Sequence, residues 1–437
     1  MLLDSEIQSP SQLRAMMNCN TAKETTGFGR MMKDYQMRTL TLALMISFVA
    51  GATAMGQFAH PGVAHSKESI ALVKKQIEAG KQPWTNAWKQ LSNSRYASLQ
   101  WNPGPFEKVE RGAYNNPDIG STEYSEDARA AHCHALCWAI SGKEAHAEKA
   151  IEILNAWSGT LKEIGEHDAR LLVGMSGYHF VVGAELLKHT SDKWPAEEQA
   201  RFETMLREIF YTTIKDFYPT ANGNWDASML QAMIAMGVFL DDQKMFDQAK
   251  DYYLKGYGNG AIGNYFKESG QCQESGRDQG HTQMGLEFLA NTCETAWIQG
   301  VDLYGALDNR LLKGFEYTAK YNLGSDVPYE AYKSVEGRYH YKKISDDARG
   351  RLRPMYQRVH NHYTNRKGLE APYTEQAAVK RRDNNTQRKD HSKRRRRRNQ
   401  FASPLDTLMY SGLPTENNES MKGKVEAEKT PVESEQP

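Results

Sequence analysis

The stretch Gly270-Gln271-Cys272-Gln273-Glu274-Ser275-Gly276-Arg277-Asp278-Gln279-Gly280-His281-Thr282-Gln283 packs many hydrogen-bonding side chains into few residues. Directly after it the pattern turns helical, with Leu289, Cys293, Ala296, Gly300 and Tyr304 on one stripe. The polar cluster therefore stands at the mouth of a helix, where free backbone N–H groups favour anions. A helix starting near Asp278 places Arg277 and His281 four residues apart, able to face one ligand. The same residues also suit a buried network in which Arg277 pairs with Glu274 or Asp278, and the local pattern does not choose between the two.

Outward from this stretch the chain is helical. From about Ser66 to Ala319, apolar residues recur at helical spacing: Ile70, Val73 and Ile77; Ile151, Leu154 and Trp157; then Leu171 to Leu187, Phe202 to Phe217, Met229 to Leu240 and Phe246 to Tyr253. Ser141-Gly142-Lys143 and Asp241-Asp242-Gln243 read as short turns between antiparallel helices. Alternation of period two is scarce and no fixed-period repeat stands out, so the expected class is all-α, a stack of helical hairpins forming a solenoid or a closed α/α toroid. All eight Trp residues fall between Trp84 and Trp297, which puts the large aromatic side chains inside this block. Gly- and Asn-rich loops interrupt it at 101–105, 114–117 and 221–225, and loops at one rim of a toroid converge on its central cleft.

The ends differ in character. Residues 1–56 read as an upstream extension followed by a secretory signal peptide. A basic start at Met37-Arg38 leads into the apolar run Leu40–Val49, too short to span a bilayer comfortably, and Ala52-Thr53-Ala54 is a small-residue cleavage site. This favours a secreted or periplasmic protein over one with an N-terminal anchor. Beyond Asp326, tyrosines interleave with Arg and His, a composition that fits either a polyanion groove or ordinary packing with partly exposed phenols. From residue 376 to 437, basic runs and a Glu/Lys/Ser/Pro-rich end suggest a disordered tail, with Met409-Tyr410 as one leftover strand. The catalytic domain is accordingly expected over 57–375.

The net charge of +1 suggests neither nucleic acid nor an acidic substrate, and a polyanion would need a local basic cleft. Cys133 and Cys137 resemble half of a metal site, but no second Cys/His pair has matching spacing, so buried thiols are the expectation.

Several ordered motifs resemble one known group. Phe58-Ala59-His60-Pro61-Gly62, Asn222-Gly223-Asn224-Trp225, Glu274 to His281, Gln299 to Gly305 and Tyr317 to Gly324 together resemble the alginate-lyase-domain superfamily of polysaccharide lyases, and most closely its family thirty-eight branch of alginate and glucuronan lyases. The resemblance covers roughly residues 58–375. It implies an α/α toroid and cleavage of 4-linked polyuronates by β-elimination.

Such chemistry needs donors to neutralise the uronate carboxylate, a base for the C5 proton and an acid for O4. Asn224 and Arg277 are the expected neutralising donors and His281 the proton-transfer group, with Glu274 or Asp278 fixing its tautomer. Trp225, Glu274, Asp278 and Gln279 are expected to contact substrate. Family-five alginate lyases carry an Asn-His pair where this chain has Asn224-Trp225, and a Tyr seven residues after the Arg where it has Met284. His281 is then the replacement for the missing His, and Tyr329 and Tyr332, after the turn at Pro328, are the candidates for the tyrosine; Tyr178-His179, inside a helical stretch, is a weaker one.

No metal or other cofactor is expected, since Arg and Asn can neutralise the carboxylate and no carboxylate cluster suggests calcium. The expected partner is an acidic polysaccharide, with no nucleic acid and no stable membrane insertion, and the protein is expected to be a monomer. A non-catalytic polyuronate-binding protein on the same fold is the alternative; a nucleic-acid-binding protein led by the Arg-rich tail and a two-carboxylate hydrolase are further ones. Hydrolysis would leave no double bond in the product.

Overall fold

A computed structural model describes residues 58–384 and 393–412. The expected signal peptide lies outside the described residues, as does most of the charged C-terminal end. Among the described residues, no helix is long and apolar enough to cross a membrane.

The helices come as the sequence orders them: α1 (Lys67–Glu78), α2 (Trp84–Ser92), α3 (Ser121–Ser141), α4 (Glu144–Thr160), α5 (Tyr178–Thr190), α6 (Ala196–Met205), α7 (Gly223–Phe239), α8 (Gln243–Lys255), α9 (Gln279–Ile298), α10 (Ala306–Leu323), α11 (Pro372–Asn384) and α12 (Lys393–Tyr410). Antiparallel neighbours pack as pairs, α3 with α4, α7 with α8 and α9 with α10. In the α7–α8 pair one helix is buried nearly all round and the other on one face, which assigns them to an inner and an outer layer. Every residue of α7 except Trp225 is buried, whereas α8 buries only Met245, Phe246, Ala249 and Tyr253.

Local signals set the boundaries. Gly142 ends α3 at φ +67°, and Asp242 caps α8 by accepting the Met245 N–H. The Leu171–Leu187 periodicity spans a short helix at Ala169–Leu172, a π-turn at Val173–Gly177 and then α5. The stripe after the opening cluster is shorter than its periodicity predicts: α9 stops at Ile298, because Gly300 adopts φ +80° and turns the chain.

Two small sheets flank the helices. In the first, β1 (Lys108–Arg111) runs antiparallel to β2 (Asp118–Ile119) and parallel to β3 (Glu163–Gly165). In the second, β4 (Tyr332–Lys333) pairs with β5 (His340–Tyr341), Tyr332 opposite Tyr341. The Tyr-rich segment thus begins as a hairpin.

The tail is a correction. Beyond residue 376 the composition predicts disorder and a strand at Met409-Tyr410, but α11 runs on to Asn384 and α12 packs into the core. Phe401, Leu405, Leu408, Met409 and Tyr410 are buried. The Phe401 ring lies edge-on to His132 and His179, and the Tyr410 hydroxyl donates to the Ala64 carbonyl at 3.1 Å. Burying large apolar side chains is worth roughly 1.5–3 kcal/mol each, an upper bound once a compact unfolded state is allowed for, and it outweighs the solubility of the flanking charge. A chain ending at Asn384 is expected to melt at least about 10 °C lower in a thermal scan, since 1 kcal/mol moves Tm by about 2–4 °C in a domain of this size. An unchanged Tm would show α12 to be dispensable.

Candidate active site

The opening stretch folds as a loop against the N-terminal ends of α7 and α9. Asp278 is the N-cap of α9, accepting the His281 N–H at 2.7 Å, and its other oxygen stands 2.5 Å from His281 Nδ1. Burial works to raise the Asp278 carboxyl. The His281 side-chain and backbone hydrogen bonds, with the charges of His281 and Arg277, outweigh it and leave the carboxyl below its usual range.

Glu274 is the hub. It is fully buried, and its carboxylate accepts from the Asn224 backbone N–H at 2.9 Å, the Tyr265 hydroxyl at 2.8 Å and Arg277 Nη1 at 2.8 Å. Gln273 adds a second tie, accepting from the Gly223 N–H and donating to Asn222 Oδ1. Glu274 therefore ties the start of α7 to the Arg277 loop. Arg277 Nε lies 3.8 Å from Asp278 Oδ2, so a continuous chain of contacts runs from Asn224 through Glu274, Arg277 and Asp278 to His281. The buried network is present, and Arg277 and His281 remain partly exposed at its edge.

Asn224 is buried, and its Oδ1 has no hydrogen-bond partner among the described residues. Trp225 is half-buried, its ring edge-on to His167 and to Tyr218 at 5.4 Å, and Arg170 and Arg338 lie over the Tyr218 ring. An aromatic ledge with two guanidinium groups thus adjoins Asn224.

Two residues expected to contact substrate do not reach outward. Glu274 is fully buried with both oxygens accepting hydrogen bonds. Gln279 is buried too: its amide donates to the Ser275 and Ser345 carbonyls and accepts from Asn322. Each holds the loop in place.

The tyrosines sort by where their hydroxyls go. Tyr332 donates to the Asn264 carbonyl and Tyr329 to the Tyr341 carbonyl at 3.0 Å, so both brace the hairpin. The residue that sequence reasoning missed as a site group is Tyr341, whose hydroxyl is 3.1 Å from Asn222 Oδ1. Burial raises its phenol to about 12, with the Glu274 charge adding to the rise and Arg277 opposing it. Glycine at 276 is what admits the hairpin: a Cβ there would stand 2.3 Å from Tyr341 Cβ and 2.5 Å from the Tyr329 hydroxyl. Only the unusual density of tyrosine after Asp326 hinted at this.

Met284, where a tyrosine stands in family five, lines a different space. With Tyr178, His179, His65, His132 and Glu287 it surrounds a cavity of about 100 Å³ walled on one side by Phe401 and Leu405 of α12. Tyr178 and His179 therefore face this cavity. Among the described residues, the His, Cys, Asp and Glu side chains close enough to share a metal ion are His60, Glu185 and His189, at the far end of α7 from Asn224.

The family model described as alginate lyase matches residues 73–327, more than half of the chain. The chain belongs to the alginate lyase family. No match is found among curated protein sequences. Among solved structures, an alginate lyase from Bacteroides ovatus is 12% identical with a TM-score of 0.53, the match covering 83% of this chain and 99% of that one. Alginate lyase A1-III from Sphingomonas species A1 is 13% identical with a TM-score of 0.52, covering 70% and 88%. A substituted A1-III complexed with a tetrasaccharide is 14% identical with a TM-score of 0.51, covering 71% and 92%. At such identities the likeness concerns the fold, and that fold is the α/α toroid.

Proposed function

We propose that this alginate lyase family member cleaves 4-linked polyuronates, alginate or glucuronan, by β-elimination, acting outside the cytoplasm. The observation that carries the proposal is the convergence of Asn224, Arg277, the His281–Asp278 pair and Tyr341 at two helix N-termini. The tetrasaccharide bound to A1-III is consistent with a saccharide-binding cleft on this fold.

The two helix ends and Arg277 favour the substrate carboxylate, and Asn224 offers its amide to it. As the C5 proton leaves, negative charge gathers on that carboxylate, so donors already aimed at it stabilise the transition state more than the ground state. Asp278 engages His281 Nδ1, which leaves Nε2 with the lone pair and makes His281 the base. A phenol held at about 12 stays protonated near neutral pH, which suits Tyr341 to return a proton to O4. The elimination balances: C5–H and C4–O4 break, a C4–C5 double bond forms, and the leaving sugar gains a hydroxyl.

His281→Ala and Tyr341→Phe are each expected to lower kcat by about 10²–10⁴-fold with KM little changed, read from the appearance of the unsaturated uronate. Full activity in Tyr341→Phe would return the acid role to Tyr329 or Tyr332. If neither wild type nor variants make product but all bind the polymer, the non-catalytic binding protein is the better reading.

A further inference from the structure

At the end of α7 remote from Asn224, polar side chains meet beneath the N-terminal segment. Glu185 on α5 is fully buried. Its Oε1 accepts the Gly62 N–H at 2.7 Å and lies 2.8 Å from His60 Nδ1. Its Oε2 is buried without a hydrogen-bond partner among the described residues, and so is Nε2 of His189, one turn along the same helix. These two orphaned atoms are 3.6 Å apart. The His60 and His189 rings stack at 4.0 Å, and His60 Nε2 is 3.1 Å from Asp241 Oδ1 in the turn after α7.

An ion pair alone explains half of this. A protonated His60 bridging Glu185 and Asp241 satisfies four of the polar atoms, but it leaves Glu185 Oε2 and His189 Nε2 facing each other at 3.6 Å without a hydrogen bond. A buried unsatisfied polar atom costs about 1–3 kcal/mol. A cation between them removes both penalties. One ligand atom from each of His60, Glu185 and His189 lies within 4.8 Å of the others. The 2.8 and 3.6 Å separations bracket the roughly 3.4 Å expected between tetrahedral ligands at zinc distances.

We propose that His60, Glu185 and His189 bind one divalent transition-metal cation of the zinc class. His60 Nδ1, a Glu185 oxygen and His189 Nε2 are the ligands, and Asp241 accepts the His60 Nε2–H. That outer carboxylate is the usual device for orienting a metal-bound imidazole. Two imidazoles with a single carboxylate suit zinc rather than calcium or magnesium, which prefer oxygen sets. The cation pins the segment at Phe58–Ala64 onto α5 and the α7–α8 turn, beside the hydrogen bonds that Gln299 makes to Ala59 and Gly62. It is independent of the elimination site.

The test uses the full chain, stripped with a chelator and titrated calorimetrically with Zn²⁺, alongside thermal melting with and without the ion. One equivalent is expected to bind, and Tm to rise with Zn²⁺. Asp241→Asn, at an exposed position, should weaken the affinity about 10–100-fold, and His189→Gln more than 100-fold. The proposal is overturned if folded wild type binds no Zn²⁺ and melts unchanged, which leaves only the ion pair. It is equally overturned if both variants bind as wild type does, which would put the ion elsewhere.

Discussion

Arg277→Lys is expected to cut kcat/KM by about 10²–10³-fold while leaving the melting temperature close to wild type. Lysine keeps a positive charge near Glu274 and so spares the network, but it lacks the planar fork that holds Glu274 with one arm while offering parallel N–H groups to a carboxylate. Arg277→Ala should be as inactive and also less stable. Glu274 is fully buried, and removing the partner of a buried carboxylate costs up to about 3–5 kcal/mol, toward the lower end here because Arg277 is partly exposed. Kinetics with matched thermal melts on both variants separate the two effects. A lysine variant with wild-type kcat/KM would remove Arg277 from the chemistry.

Acid should unfold the protein steeply, for reasons remote from catalysis. His65, His132 and His179 form a line, with nitrogens 3.0 and 3.2 Å apart, beside the cavity under α12. Burial, with the positive charge of Arg358 contributing to each, lowers His65 and His179 to about 3 and His132 well below 6.5; burial likewise lowers His134 to about 3. An unfolded histidine protonates near 6.5, so at lower pH the unfolded chain holds protons that the native chain does not, and stability is lost as pH falls. Asp226 and Asp406 oppose this: burial raises both to about 6, so between pH 6 and 4 the native state binds protons there that the unfolded state does not.

His362, lowered well below 6.5 by burial, joins them, so five histidines against two aspartates leave about three net protons, or roughly 4 kcal/mol lost per pH unit between pH 6 and 4. Against a typical stability of about 5–15 kcal/mol, a loss of that size over two pH units removes a large share of the folding free energy by pH 4. Urea titrations at pH 7, 6 and 5 measure the slope, and His179→Gln should reduce it by about 1.4 kcal/mol per unit. A stability independent of pH would contradict the account.

What the sequence disclosed and what it concealed divide along the range of the interactions. The helix pairs and the Asp278 cap are encoded within a few residues, so periodicity and spacing found them. Glu274 and Tyr341 depend on contacts across tens of residues: the hub joins the 270s loop to the start of α7, and the hairpin closes on the loop because residue 276 has no side chain. No local pattern distinguishes a glutamate that touches a substrate from one that holds the arginine. The C-terminal helix was hidden differently. Phe401, Leu405 and Leu408 stand at helical spacing, but Arg-rich flanks and Pro404 made the segment read as solvated tail. The resemblance pointed to Asn224 and Arg277, which the Glu274 network joins, whereas its departures at Trp225 and Met284 carry no local signal of what surrounds them: Trp225 packs against Tyr218 and Met284 lines the cavity under α12.

The most direct test is ultraviolet absorbance of the purified protein with polymannuronate, polyguluronate and polyglucuronate in turn. Rising absorbance from a C4–C5 unsaturated uronate is expected on at least one polymer, slowed about 10²–10³-fold in Arg277→Lys. A flat trace on all three from folded protein, or products that carry no double bond, would contradict it.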